Sequence, residues 1–210
     1  MAEIEEGRKY EKIALDCLKE NNLSGAESNF LQALAHMKQS GDEEGQAYVQ
    51  GNLGNLCFQS RRLDKAEEYY GKALAYMEKV NDVRGIESSL GNLGSVLFYK
   101  GNLDEAEETY KKALKFLEEA SDTEGQSIYN ENLGNVYLKK DDLGKAEDYF
   151  NRAKTLLDSE KNKDRIKQVE DKLVALQKHP KYVEGKEKKI LDEIESLEKG
   201  GGKQEVLSKY

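Results

Sequence analysis

The chain has 210 residues, 35% charged and 37% hydrophobic, with a net charge of −8. That balance argues against a thick globular core and suits a thin, high-surface object such as a helical solenoid. The negative charge argues against nucleic acid as a partner, because phosphate backbones call for a clustered basic surface.

No run approaches the roughly 20 apolar residues of a membrane span, so no membrane association is expected. The acidic opening MAEIEEGRKY has no apolar core and does not read as a secretory signal, which points to the cytoplasm. The single proline, Pro180, leaves residues 1–179 free to form helices. Twelve Tyr and five Phe, placed periodically, argue against disorder.

Aligning the chain on itself gives a gapless period of 40 residues, with units 11–50, 51–90, 91–130 and 131–170. One column holds Ile13, Leu53, Leu93 and Leu133, and the next Ala14, Gly54, Gly94 and Gly134. Further on come Ala26, Ala66, Ala106 and Ala146, then the aromatics Phe30, Tyr70, Tyr110 and Phe150, then Ala33, Ala73, Ala113 and Ala153. Within a unit, Leu63, Ala66, Tyr70, Ala73, Leu74 and Met77 share one helical face. Asn21-Asn22, Arg61-Arg62, Gly101-Asn102 and Asp141-Asp142 read as turns, so each unit is helix A, tight turn, helix B. Asn102 and Asp142 read as N-caps, and Asn102 with Glu105 as a capping box. The glycine column is expected to meet the alanine columns of helix B and draw the helices together. No single hairpin buries its own face, so the units must stack.

Unit one departs from the NLGN string, having Lys12-Ile13-Ala14-Leu15, as expected of a terminal repeat. Residues 163–178 keep helix-A spacing at Ile166, Val169, Leu173 and Leu176 and are expected to cap the array, with Pro180 ending that helix. The solenoid is therefore assigned to 1–180. Residues 181–199 follow as an amphipathic helix, its stripe made of Ile190, Leu191, Ile194 and Leu197 within 185–199, and 200–210 as a flexible tail.

The small residue, Ala twelve later, aromatic four after that and Ala three after that resemble the tetratricopeptide repeat. The resemblance covers about residues 7–178. The usual period is 34; the longer one here, with steps such as Gly41-Asp42-Glu43-Glu44-Gly45, resembles the long-repeat subgroup of Pins/LGN-like adaptors and prokaryotic regulators. The resemblance implies an all-α, right-handed α-solenoid in which helices A line a concave groove that binds a protein or peptide. The groove candidates are then the ladders Asn52, Asn92, Asn132 and Asn55, Ser95, Asn135, with Tyr48, Phe58, Phe98 and Tyr99. A carboxamide both donates and accepts, which suits the N–H and C=O groups of an extended peptide, and the aromatics offer apolar area. The basic clamp of chaperone-tail binders is not matched: Glu11, Leu15, Asn52, Ser88 and Asn92 stand there, and one of five fits.

Nothing reads as chemistry. There is no phosphate loop or nucleophile elbow, and no enzyme, metal or cofactor is expected. His36 and His179 read as surface residues, and Cys17 and Cys57, one unit apart, as core thiols about 8–10 Å apart, beyond disulfide reach. Glu67-Glu68 and Glu107-Glu108 read as a solvated convex face. A second function remains open: homo-oligomerisation through the array ends or the C-terminal helix, or occupation of the chain's own groove by that helix.

Overall fold

The computed structural model describes residues 2–157 and 161–200, with side chains to residue 196. Of the expected tail only Gly200 falls among them, as the last residue of a helix; the rest, and the Leu197 side chain, lie outside the described residues.

Ten helices and no strand are present among these residues: α1 (Ala2–Lys19), α2 (Leu23–Ser40), α3 (Glu43–Gln59), α4 (Leu63–Lys79), α5 (Val83–Lys100), α6 (Leu103–Glu119), α7 (Thr123–Lys139), α8 (Leu143–Thr155), α9 (Lys163–Gln177) and α10 (Pro180–Gly200). The architecture is an all-α solenoid of four hairpins, α1/α2 to α7/α8. No helix is long and apolar enough to cross a membrane.

One device joins the first eight helices. Residues Asn21, Gly41, Arg61, Asn81, Gly101, Ser121 and Asp141 all lie in the left-handed region, with φ from 54° to 87°. After each, the next N–H returns to the carbonyl five residues back, as from Asn22 to Cys17 at 2.8 Å and from Asp82 to Met77 at 2.9 Å. These bonds use carbonyls that a helix end leaves free. That next residue is also the N-cap of the following helix. Asn22, Asp42, Asp82, Asp122 and Asp142 accept from the backbone N–H three residues on. The capping box expected at Asn102 is not formed: its side chain makes no cap bond. Backbone bonds close that turn, Asn102 N–H to Leu97 at 3.0 Å and Leu103 N–H to Gly101 at 2.9 Å.

The glycine column faces rings, not alanines as the sequence suggested. A Cβ on Gly54, Gly94 or Gly134 would lie 2.6, 2.6 or 2.5 Å from the ring of Tyr70, Tyr110 or Phe150. Helix A thus lies directly on the aromatic of its own helix B. In the first hairpin Ala14 stands at this position, fully buried in one cluster with Phe30. Ile13, placed in the buried column, is 40% exposed whereas Leu53 is at 1%.

The Glu67/Glu107 column is not a solvated face. Glu27, Glu67 and Glu107 each take a cation from the following hairpin, near the end of its helix A, namely Arg62 at 2.5 Å, Lys100 at 2.7 Å and Lys140 at 2.5 Å, and Glu147 takes Lys186 of α10 at 3.1 Å. Lys100 and Lys140 also reach Asp64 and Asp104, each at 2.6 Å. Of the expected exposed pairs, Glu68 and Glu108 alone face solvent. The histidines differ from expectation as well. His36 is half-buried, Nδ1 2.6 Å from Glu3 and ring stacked on Tyr10 at 5.4 Å. His179 has a buried Nδ1 with no partner among the described residues. Cys17 and Cys57 are free thiols, half-buried and buried.

α9 begins 40 residues after α7 and packs Val169, Leu173 and Leu176 against Tyr137 and Phe150. Pro180 opens α10 instead of closing α9, which has already stopped at Gln177. Proline lacks an N–H that the first helical turn does not need.

Two stability predictions follow from these contacts. Gly94→Ala should destabilise by about 1–3 kcal/mol, because the Tyr110 ring must move. Gly71→Ala, inside α4 with nothing within 4 Å of the added carbon, should stabilise by about 0.5–1 kcal/mol. Denaturant unfolding midpoints that shift in the same direction for both would contradict the packing. The second concerns Glu107. Burial works against its charge, but hydrogen bonds from Lys111, Lys140 and Tyr137 outweigh it and bring the carboxyl down to about 2. A depressed folded-state pKa gives a contribution that is full above the ordinary 4.5 and is lost as pH falls toward 2. Thermal midpoints measured from pH 5 to 2 should therefore fall more steeply in the wild type than in Glu107→Gln, and parallel slopes would refute the latch.

Candidate functional site

The A helices α3, α5 and α7 are polar on the side away from their B helices because the apolar columns are spent on packing. Between α3 and α5 that side opens into a cleft of about 480 Å³. Tyr48, Asn52 and Asn55 line it from α3, and Ser88 and Asn92 from α5. Its floor is Ala47, Gly51, Tyr70, Ala73 and Met77. Tyr48 is 50% exposed, and Asn52 and Asn92 are half-buried, their carboxamides without a hydrogen-bond partner among the described residues. The cleft therefore combines an apolar base, one aromatic wall and two groups able to bond a peptide backbone.

Arg84 also lines the cleft and makes no ion pair among the described residues. It was not singled out from the sequence, although the signal was present: at this place in the repeat the other units have Glu44, Glu124 and Asp164.

The second ladder is tied up in the fold. The Tyr70 hydroxyl donates to Asn55 Oδ1 at 2.7 Å, and the Tyr110 hydroxyl lies 3.1 Å from Ser95 Oγ, which in turn donates to the Gly91 carbonyl at 3.0 Å. Burial raises the pKa of both phenols. Where the ring is Phe150 and carries no hydroxyl, Asn135 instead accepts from Lys172 of α9 at 3.3 Å. Lys172 also pairs with Glu131 at 2.6 Å, so the α7 part of the surface is partly covered from α9. Asn132 is half-buried and makes no side-chain hydrogen bond among the described residues.

The surface is also interrupted between α5 and α7. Tyr129 lies over Gly91, where a Cβ would come within 2.0 Å of its hydroxyl. That hydroxyl donates to Glu87 Oε1 at 2.5 Å, and the ring packs on Tyr110 at 6.0 Å. Burial and the Glu87 bond raise its pKa. Unit three has Ser89 in the place of Tyr129, which leaves the α3–α5 cleft open.

The three other candidates form a separate cluster at the C-terminal ends of α3 and α5. Tyr99 makes edge contacts with Phe58 at 5.4 Å and Phe98 at 5.5 Å. Arg61 stacks over Tyr99 at 4.8 Å and Lys139 over Phe98 at 4.5 Å. The cleft and this cluster are distinct patches of one helical layer.

The sequence matches the family model for the tetratricopeptide repeat over residues 5–79 and 85–159. No curated protein matches it. Among solved structures, BtubC (BKLC) from P. vanneervenii is similar at 21% identity and a TM-score of 0.70, over 81% of this chain and 71% of that one. The apo form of RapI is similar at 15% identity and a TM-score of 0.70, over 98% and 80%. A STAND signal-transduction ATPase with a tetratricopeptide repeat sensor, from Pyrococcus horikoshii, gives a TM-score of 0.77 at 17% identity over 93% of this chain but 31% of its own. At these identities the likeness is one of fold.

Replacing Tyr129 by Ser should lower stability by about 2–4 kcal/mol through the cavity it leaves, with retained helicity by circular dichroism. A loss under about 0.5 kcal/mol in denaturant unfolding would mean that the ring does not fill this gap.

Proposed function

The chain belongs to the tetratricopeptide repeat family, and from that premise we propose that it is a protein-interaction adaptor that lays a peptide segment of its partner across the α3–α5 cleft. The α3–α5 cleft carries this reading. It gathers Tyr48, Asn52 and Asn92 around an apolar floor, and neither carboxamide makes a hydrogen bond among the described residues. An extended segment can exchange backbone hydrogen bonds with Asn52 and Asn92 while a side chain enters between Tyr48 and Met77. Asn55 and Ser95 support the cleft by holding Tyr70 and Tyr110, and Phe58, Phe98 and Tyr99 offer a second apolar contact further along the same helices. Asn132 and Asn135 would extend the contact beyond Tyr129 for a longer ligand.

Among the described residues no cluster of three His, Cys, Asp or Glu could hold a metal. Two free thiols are compatible with a reducing, cytoplasmic setting. Lys181 and Lys186 of α10 pair with Asp141 in the turn before α8 and with Glu147 of α8.

Peptides selected by display against the full chain provide the test. Asn52→Ala combined with Asn92→Ala should weaken their binding about tenfold or more, from the loss of two hydrogen bonds, with an unchanged circular dichroism spectrum. Selected peptides whose calorimetric affinities are indifferent to both changes would place the contact elsewhere.

A further inference from the structure

The α3–α5 cleft does not end at α5. A second cleft, of about 550 Å³, lies between the start of α5 and the end of α6. The two share Arg84 and Ser88 as a common wall. Val83, Phe116 and Leu117 give the second cleft an apolar lining, and Val83 is 49% exposed. Gly85, next to Arg84, lies against the floor of the first cleft: a Cβ there would come within 2.5 Å of Met77 Sδ. Arg84 therefore stands at the boundary between two apolar hollows.

Arg84 is exposed and makes no hydrogen bond or ion pair among the described residues. The acids that line the same two clefts are already engaged. Asp82 and Asp122 accept the backbone N–H of Gly85 and Gly125 at the start of their helices, where the positive end of the helix offsets their charge. Glu87 accepts from the Tyr129 hydroxyl. At the place of Arg84 in the repeat, α7 has Glu124, which lies 4.0 Å from Arg165, and α3 has Glu44, which lines another cleft together with Arg8. A guanidinium carries five N–H donors in a planar fork that grips a carboxylate with two of them.

We propose that the partner segment carries an Asp or Glu between two apolar residues, its side-chain carboxylate paired with Arg84 and one apolar side chain in each cleft. This rests on the peptide-binding reading of the α3–α5 cleft and adds the chemistry of the ligand. The carboxylate belongs to a side chain and not to a chain end, because the clefts continue on both sides of Arg84 and the segment passes over it. The net charge of −8 disfavours acidic segments at long range. One acid placed at Arg84 is therefore favoured over an acidic run.

Peptides selected from a random library by display against the full chain, then synthesised with amidated C-termini, test this by calorimetry. They should share an Asp or Glu with an apolar residue on each side. Arg84→Glu, which gives α5 the residue that α3 and α7 have at this place, should weaken their binding about tenfold or more. Exchanging the acid of the peptide for Lys should weaken binding to the wild type and recover it on the Arg84→Glu chain. Val83→Gln should weaken the original peptides about threefold through lost apolar contact. Peptides that lose affinity with Asn52→Ala and Asn92→Ala but carry no acid, or are indifferent to Arg84→Glu, overturn this inference and leave the cleft reading standing. Peptides indifferent to all of these changes overturn both. Binding that is lost on amidation of the C-terminus overturns the side-chain assignment.

Discussion

A backbone turn of two residues, repeated every 20 positions, governs the geometry of the array. One residue in the left-handed region ends a helix and the next begins another, from Asn21-Asn22 to Asp141-Asp142. Every helix through α7 is thus 17 or 18 residues long, and every pair meets in the same register. The aromatic of helix B can then sit on the small residue of helix A in all four hairpins, because the turn delivers both to the same height. Five of the seven left-handed residues are not glycine, at a local cost of roughly 1 kcal/mol each. The two returning hydrogen bonds and the stacking offset that cost.

Helix packing and polar latches divide the work between them. Within a hairpin the ring-on-glycine contact sets the separation of the helices. Between hairpins, the glutamates at 27, 67 and 107 tie each unit to the next, and Glu147 ties the last hairpin to α10. These carboxylates are partly shielded; Glu107 is 18% exposed. Each is therefore worth more than a surface pair, but only while both partners stay charged. The cleft depends on both contacts, since α3 and α5 belong to neighbouring hairpins and share no turn.

Much of the fold was legible in the sequence, because a period that recurs four times reports helix, turn and core together. The roles of single columns were less legible. The spacing of Gly54 on α3 and Ala73 on α4 gives no sign that the glycine meets Tyr70 instead. Glu67 and Glu68 look alike in sequence and differ in whether Lys100 reaches them. At the candidate site, Asn52, Asn92 and Tyr48 do line a cleft, whereas the involvement of Asn55 and Ser95 with tyrosine hydroxyls needed three dimensions. Even so, the 15-residue spacing of Asn55 to Tyr70 and Ser95 to Tyr110, set against Leu15 with Phe30, carried that information in the repeat itself. Tyr129 is the case that periodicity hides, since its effect comes from being unlike Ser89.

Because Glu147 is answered by Tyr182 and Lys186 of α10, the last docking edge of the array is already filled. Glu27, Glu67 and Glu107 each bind a cation of the hairpin that follows, whereas Glu147 binds one from a single helix, so α10 takes on α8 the place that a hairpin tip takes at the three earlier joints.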